Sequence, residues 1–293
     1  MSRIAYVNGA YVDHFDAGVH VEDRGYQFAD GVYEVCEIKD GAIIDERRHL
    51  DRLDRSLREL RIAWPMDRAA LSVVLAETAR RNRVKNGIVY LQVTRGVARR
   101  DHVFPAAGTP ASIVVTSRAT DPAIAAQKAE HGIEAIAVDE NRWDRVDIKS
   151  VGLLPNCLAR QHAKEQGAAE AIFVDADGMV KEGAATNAWI VTKDDKLVTR
   201  PAEHGILKGI TRAVTMQAAA ALGLTVEERA FSVEEAKQAR EMFITAATTL
   251  VMPVVRFDEA SIANGKPGET ATALRAAFHT HAERTPLYRN RTV

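Results

Sequence analysis

The sequence predicts a mixed α/β chain of the α+β kind, organised as two domains. Three observations lead there. Segments with strand patterning outnumber helical ones and do not alternate regularly with them, unlike a doubly wound parallel sheet. Asn8-Gly9, Asp40-Gly41 and Asp177-Gly178 separate apolar runs, as the turns of antiparallel hairpins do. At 293 residues the chain exceeds one ordinary domain, and its patterning breaks at Thr120-Asp121-Pro122. The expected division is an N-terminal α+β domain over 1–118, a linker over 119–123 and a C-terminal α/β domain over 124–284. The polar, basic end, 285–293, is expected to be poorly ordered.

Taken in order, Ile4–Val7 and Tyr11–Val12 read as strands around Asn8-Gly9, and Tyr33–Lys39 and Ala42–Ile44 as strands around Asp40-Gly41. Leu50, Leu53, Leu57 and Leu60 recur at helical spacing, which predicts an amphipathic helix over His49–Arg61. Asp67 can cap a second helix reaching about Arg83, and strands follow over Ile88–Thr94 and Ser112–Thr116. Beyond the break come a strand over Ile133–Val138, a helix over Leu154–Glu165 and a hairpin turning at Asp175–Gly178. A strand over Ala188–Thr192 and a helix over Ile210–Leu222 are next. Strands near Thr225–Arg229, Met242–Thr245 and Val251–Phe257 precede a last helix over Glu269–His281.

A net charge of −1 provides no basic field for nucleic acid, and Arg47-Arg48, Arg80-Arg81 and Arg99-Arg100 read as solvated surface. Cys36 and Cys157 suit a reducing compartment and supply neither a disulfide framework nor a metal site. Met1 to Tyr11 lacks the profile of a signal peptide, and no apolar run approaches the length of a membrane span, so a cytoplasmic location is expected.

The chemistry-bearing residues are Lys149, in Asp147-Ile148-Lys149-Ser150, and Glu182, in Lys181-Glu182-Gly183-Ala184-Ala185. Val146, Ile148 and Val151 look core-directed, so Lys149 is expected at a strand end facing an interior or a cleft. A lysine there loses solvation, and its neutral amine becomes a nucleophile and base. Such an amine can hold an aldehyde as a Schiff base. A carboxylate such as Glu182, after a hairpin strand, can keep a pyridine nitrogen protonated, and the small residues behind it let backbone approach a flat ring. Gly209-Ile210-Thr211-Arg212 opens a helix whose free N–H groups and dipole suit a phosphate, with the Thr211 hydroxyl as a further donor. Arg52 lies off the leucine face of its helix and can add a guanidinium. In this order the pieces point to pyridoxal 5'-phosphate chemistry; alone, each reads as surface or as a helix cap.

From about Ile4 to Phe278 the chain resembles the fold type IV aminotransferases, and most closely the D-amino acid aminotransferases. The matching blocks are Asp23–Val35, His49–Arg52, Thr94–Gly96 with Arg100–His102, Asp147–Ser150, Glu182–Asn187, Gly209–Arg212 and Phe243–Pro253. The resemblance implies covalent cofactor attachment at Lys149 and a pyridinium partner in Glu182. It implies phosphate contacts from Arg52, Ile210, Thr211 and Thr248, with Leu207 against the ring. Tyr33, Arg100 and His102 match the trio that holds the substrate α-carboxylate, Arg100 and His102 coming from a neighbouring subunit, hence a homodimer. The activity implied is amino transfer between D-amino acids and 2-oxo acids, with pyruvate or 2-oxoglutarate as acceptor.

Alternatives on the same fold are a branched-chain L-amino acid aminotransferase, an (R)-amine transaminase and an aminodeoxychorismate lyase; the carboxylate trio argues against all three. A regulatory protein that merely binds the cofactor is disfavoured by the presence of both Lys149 and Glu182. Two departures stand out. Ala247 occupies a place where relatives commonly carry a hydroxyl, and Leu153–Cys157 lies in a variable segment that transfers no substrate preference. Gly265–Thr270 resembles part of a nucleotide loop but puts Pro267 after the lysine, and Asp175–Gly178 resembles the start of a calcium loop without its later ligands.

Overall fold

Asn8 and Gly9 take left-handed backbone (φ 45° and 103°) and turn β1 (Ile4–Val7) back onto β2 (Ala10–Asp13). Asp40 and Gly41 (φ 48° and 72°) do the same between β3 (Gly31–Lys39) and β4 (Ala42–Ile44). Two positive φ values in a two-residue loop match the right-handed twist of the flanking strands. Residues 3–203 and 205–287 are described by this computed structural model.

The first compact unit takes the described residues up to Pro122, together with Ile148–Gly152 and the described residues from Glu283 onward. This differs from the single cut expected at 119–123. Besides the hairpins it contains α1 (Arg24–Phe28), α2 (Glu46–Glu59), α3 (Arg68–Arg81), β5 (Gly87–Thr94), β6 (Ser112–Ala119) and the final strand β16 (Arg284–Pro286). Its sheet runs β16-β4-β3-β5-β6-β1-β2, antiparallel throughout. Val32, Cys36, Val89 and Leu91 fill one face, under Leu50, Leu53 and Leu57 of α2 and Leu71 and Leu75 of α3. α2 starts before the leucine repeat because its first turn, Glu46 to Arg48, is polar and carries no periodic signal. The expected disorder from residue 285 does not apply to Thr285–Leu287: β16 pairs with β4, and Leu287 is buried with its N–H on the Gly41 carbonyl. The rest of that stretch, 288–293, lies outside the described residues.

The second unit, Ala123–Asp147 with Leu153–Ala282, is built on a mixed sheet. The expected linker is shorter than 119–123, since β6 runs to Ala119 and α4 (Pro122–His131) begins after Thr120 and Asp121. There follow β7 (Ile133–Asp139), α5 (Leu154–Glu165), β8 (Glu170–Val174), β9 (Val180–Gly183), β10 (Asn187–Val191) and β11 (Leu197–Thr199). Next are α6 (Ile210–Ala221), β12 (Val226–Glu228), α7 (Val233–Lys237), β13 (Glu241–Ala246), β14 (Leu250–Phe257), β15 (Ala260–Ser261) and α8 (Glu269–His281). The strand order is β12-β11-β10-β13-β14-β7-β8-β9, with β15 on β14. Trp189 stacks on Phe243 (5.6 Å) beneath α6 and α8, while Ala159 and Ala163 seat α5 on Phe173. Glu241 caps α8, accepting the N–H groups of Thr270 and Ala271 at 2.9 Å each. Among the described residues no helix is long and apolar enough to cross a membrane.

Candidate active site

The position of Lys149 follows from the shortness of β4. On β3 that strand reaches only Ile38 and Lys39, so the Gly31–Tyr33 end of β3 has an open edge there. The segment from Ile148 fills it. Tyr33 N–H donates to the Lys149 carbonyl (3.0 Å), Val151 N–H to the Gly31 carbonyl (3.0 Å), and Val32 bridges Ser150. Lys149 therefore immediately precedes an isolated bridge residue, Ser150, and is not at the expected strand end, with buried Ile148 as its anchor in the first core. Its side chain is half-buried, and Nζ stands 4.3 Å from the centre of the Tyr33 ring, a cation–π contact.

On the buried side of β3, Glu34 holds Arg52 in a bidentate pair (Nε–Oε1 2.8 Å, Nη2–Oε2 2.7 Å). His49 Nδ1 lies 2.7 Å from Glu34 Oε2, and since a carboxylate only accepts, that nitrogen carries the proton. Burial pushes the Glu34 carboxyl up, but Arg52 and His49 outweigh it and hold the pKa down to about 2. Burial lowers the His49 pKa despite Glu34. Of this triad, Glu34 and His49 fall within matching blocks of the sequence, but only Arg52 is assigned a role there.

Its pH consequence has a definite sign. A depressed carboxylate pKa contributes stability that is complete above the ordinary 4.5 and is lost as pH falls toward 2. Glu34→Gln is expected to cost about 3–5 kcal/mol at neutral pH by removing the negative charge from a buried, bidentate ion pair. The variant's thermal midpoint should then fall less steeply than wild type across that acid window. Parallel curves for the two proteins would remove Glu34 from the acid response.

Arg100 and His102 are exposed, on the loop after β5. Both lie against Phe28, at 5.1 Å from the guanidinium carbon and 5.5 Å between ring centres. Buried Arg24 donates to the Asp101 carbonyl at 2.6 Å and pairs with Asp30 at 2.8 Å.

In the second unit, Glu182 is the penultimate residue of β9 and is buried. Oε1 accepts from Arg142 Nη1 (2.7 Å), and Oε2 from Asn187 Nδ2 (3.1 Å) and the Leu207 N–H (3.0 Å). Arg142 is shared with Glu140, so the carboxylate is charge-paired and fixed in orientation. Neither Arg142 nor the Asn187 contact was visible in the sequence pattern.

Gly183 has an internal reason to be small: a Cβ there would lie 2.0 Å from Thr186 Oγ1. Gly209, the N-cap of α6, packs as closely on Asn187 Oδ1 (2.0 Å to an added Cβ). The Asn187 amide also donates to the Leu207 carbonyl at 2.9 Å, so one asparagine ties Glu182, Leu207 and the start of α6 together. Gly209 has no side chain with which to cap α6. Ile210 is half-buried and Thr211 buried. In the β13–β14 turn Thr248 is exposed, and it is Thr249 whose Oγ1 is buried without a hydrogen-bond partner.

Residues 31–257 match the family model described as amino-transferase class IV. The D-alanine aminotransferase of Bacillus licheniformis is 38% identical over 271 residues, spanning 92% of this chain and 94% of that protein. That of Staphylococcus haemolyticus is 35% identical over 278 residues, 95% of this chain and 97% of its own length. Among solved structures, the branched-chain aminotransferase of Thermoproteus uzoniensis with norvaline superposes with a TM-score of 0.84 at 26% identity, covering 98% of this chain and 100% of that one. The branched-chain enzyme of Escherichia coli gives 0.86 at 24% identity over 100% and 98% of the two chains, a likeness of fold. The chain belongs to amino-transferase class IV.

Proposed function

We propose that this protein is a pyridoxal 5'-phosphate-dependent transaminase that moves an amino group between D-amino acids and 2-oxo acids. The carrying observation is the similarity, over more than nine-tenths of the chain, to proteins named D-alanine aminotransferase. The branched-chain enzymes share the fold at lower identity.

The side chains present suit this cofactor. Thr249 offers a buried hydroxyl with no partner, and the first-turn N–H groups of α6, those of Ile210 and Thr211 among them, lack intrahelical acceptors. Glu182 is an oriented carboxylate and Lys149 a primary amine at a backbone-locked position. When bound, pyridoxal 5'-phosphate supplies an electron sink for the charge that develops at the donor's α-carbon. Lys149 Nζ is assigned covalent attachment and the transfer of the α-proton. Glu182 holds a proton on the ring nitrogen, and Leu207 lies against the ring. Arg52, Ile210, Thr211 and the Thr248–Thr249 pair hold the phosphate. Tyr33, Arg100 and His102 bind the α-carboxylate, the latter two donated by a second copy, which makes the protein a homodimer. A cytoplasmic location accords with the chain's two cysteines, both free.

With the α-proton leaving toward Lys149 and the carboxylate fixed by the trio, the side chain has one position left, so a single enantiomer reacts. D-alanine or D-glutamate is expected to bleach the cofactor's visible absorbance and to turn over with pyruvate or 2-oxoglutarate. Faster turnover of L-leucine or L-valine than of every D-amino acid tested would overturn the D-specific reading and favour the branched-chain one.

A further inference from the structure

Arg100 and His102 are exposed, but the residues that support them are not. Arg24 Nη1 donates to the carbonyls of Asp101 (2.6 Å) and Val103 (3.4 Å), the two neighbours of His102. Its Nε is fixed by Asp30 Oδ2. The same carboxylate takes Nε and Nη2 of Arg95 at 2.7 and 2.9 Å, and Arg95 donates to the carbonyls of Leu60 and Arg61. The Arg95 guanidinium also lies 3.6 Å from the centre of the Phe104 ring. One aspartate thus orients two buried arginines that hold the loop at 101, 103 and 104. Phe28 completes the base, with Arg24 at 4.8 Å on its ring beside Arg100 and His102.

We infer that Arg24, Asp30 and Phe28 are positioning residues for the substrate carboxylate, presenting Arg100 and His102 as one preset unit. The inference rests on the proposed function, in which those two residues bind that carboxylate. An exposed arginine on an unsupported loop gives up several rotors when it grips an anion. Stacking on Phe28 and the backbone ties from Arg24 remove part of that loss before substrate arrives. Arg24 spends its Nη1 donor on carbonyls of this loop, which a residue serving only the core would not do. Both the amino donor and the oxo-acid acceptor carry the α-carboxylate, so both should depend on the device, whereas proton transfer at Lys149 should not.

The test uses the cofactor-loaded enzyme with D-alanine and 2-oxoglutarate, comparing Arg24→Ala, Arg24→Lys, Phe28→Leu and Arg100→Ala. Arg24→Ala is expected to raise KM for both substrates about tenfold or more with kcat changed by less than about threefold. Arg24→Lys should recover part of the loss, since its amine can still pair with Asp30. Amide exchange should quicken across 97–109 in Arg24→Ala and stay unchanged in β3 and β5. Phe28→Leu, a change at a half-buried position, should raise KM with the fold intact, and it carries the test alone if Arg24→Ala does not fold. If Arg100→Ala raises KM while Arg24→Ala and Phe28→Leu leave it unchanged, the inference fails and the carboxylate reading stands. If Arg100→Ala leaves KM unchanged, the carboxylate reading itself falls, and the inference with it. Exchange quickened throughout the first unit, with kcat and KM both impaired, would make Arg24 merely structural and overturn the inference.

Discussion

Lys149→Ala is expected to abolish transamination, lowering kcat by about 10⁴-fold or more, because one side chain serves as covalent anchor and proton carrier. The fold should survive. The segment is held by main-chain bonds from Tyr33 and Val151 and by the buried Ile148 side chain, none of which involves Nζ. What the side chain loses is a cation–π contact with Tyr33, worth about 0.5–1 kcal/mol at a partly exposed site. The thermal midpoint of the cofactor-free protein should therefore barely move while activity disappears. Borohydride reduction and peptide mapping check the anchor directly: a pyridoxyl group found on any other lysine refutes the assignment.

Glu182→Ala should slow proton abstraction about 100-fold or more while leaving cofactor bound, since a neutral ring is a weaker electron sink. The surroundings make this variant interpretable. Arg142 keeps Glu140 as a partner on two nitrogens (2.9 and 2.6 Å), so deleting Glu182 does not strand a buried cation. The Asn187 amide and the Leu207 N–H each lose an acceptor, which Glu182→Gln restores through its side-chain oxygen while its amide nitrogen gives up the contact with Arg142. If the charge matters, Gln should be nearly as slow as Ala, and Asp milder than either. Single-turnover rates close to wild type in the alanine variant would take Glu182 out of the mechanism.

Much of this was legible in the sequence where a physical constraint is local. Both hairpin dipeptides in the first unit mark left-handed backbone, and α5 and α8 run between the residues their patterns indicated. Elements with no periodic signature were missed. α1 spans five residues held by the Asp23 cap, α4 buries little besides Ala129, and β16 reads Arg-Thr-Pro with no apolar alternation. The site divides in the same way. Lys149 and Glu182 could be singled out by type and setting. The Arg142–Glu182 and Glu34–His49 pairs could not, because their members are 40 and 15 residues apart and meet only in the folded chain. The β13–β14 loop illustrates the limit: the sequence favoured Thr248, whereas burial draws attention to Thr249.

The discontinuity of the first unit bears on how the protein can be made. The chain passes between units after Pro122, Asp147, Gly152 and Ala282, and the edge of the first sheet beside β4 is closed by β16. During synthesis the N-terminal strands emerge first, yet their edge beside β4 remains open until residues 284–286 have left the ribosome. The Gly31–Tyr33 edge of β3 waits likewise for the lysine segment. A nascent chain halted near residue 120 would expose both edges, and exposed edges pair with other chains. Closure of the first sheet is thus staged: the Gly31–Tyr33 edge can close once the segment to Val151 has emerged, and the β4 edge only once Arg284–Pro286 have.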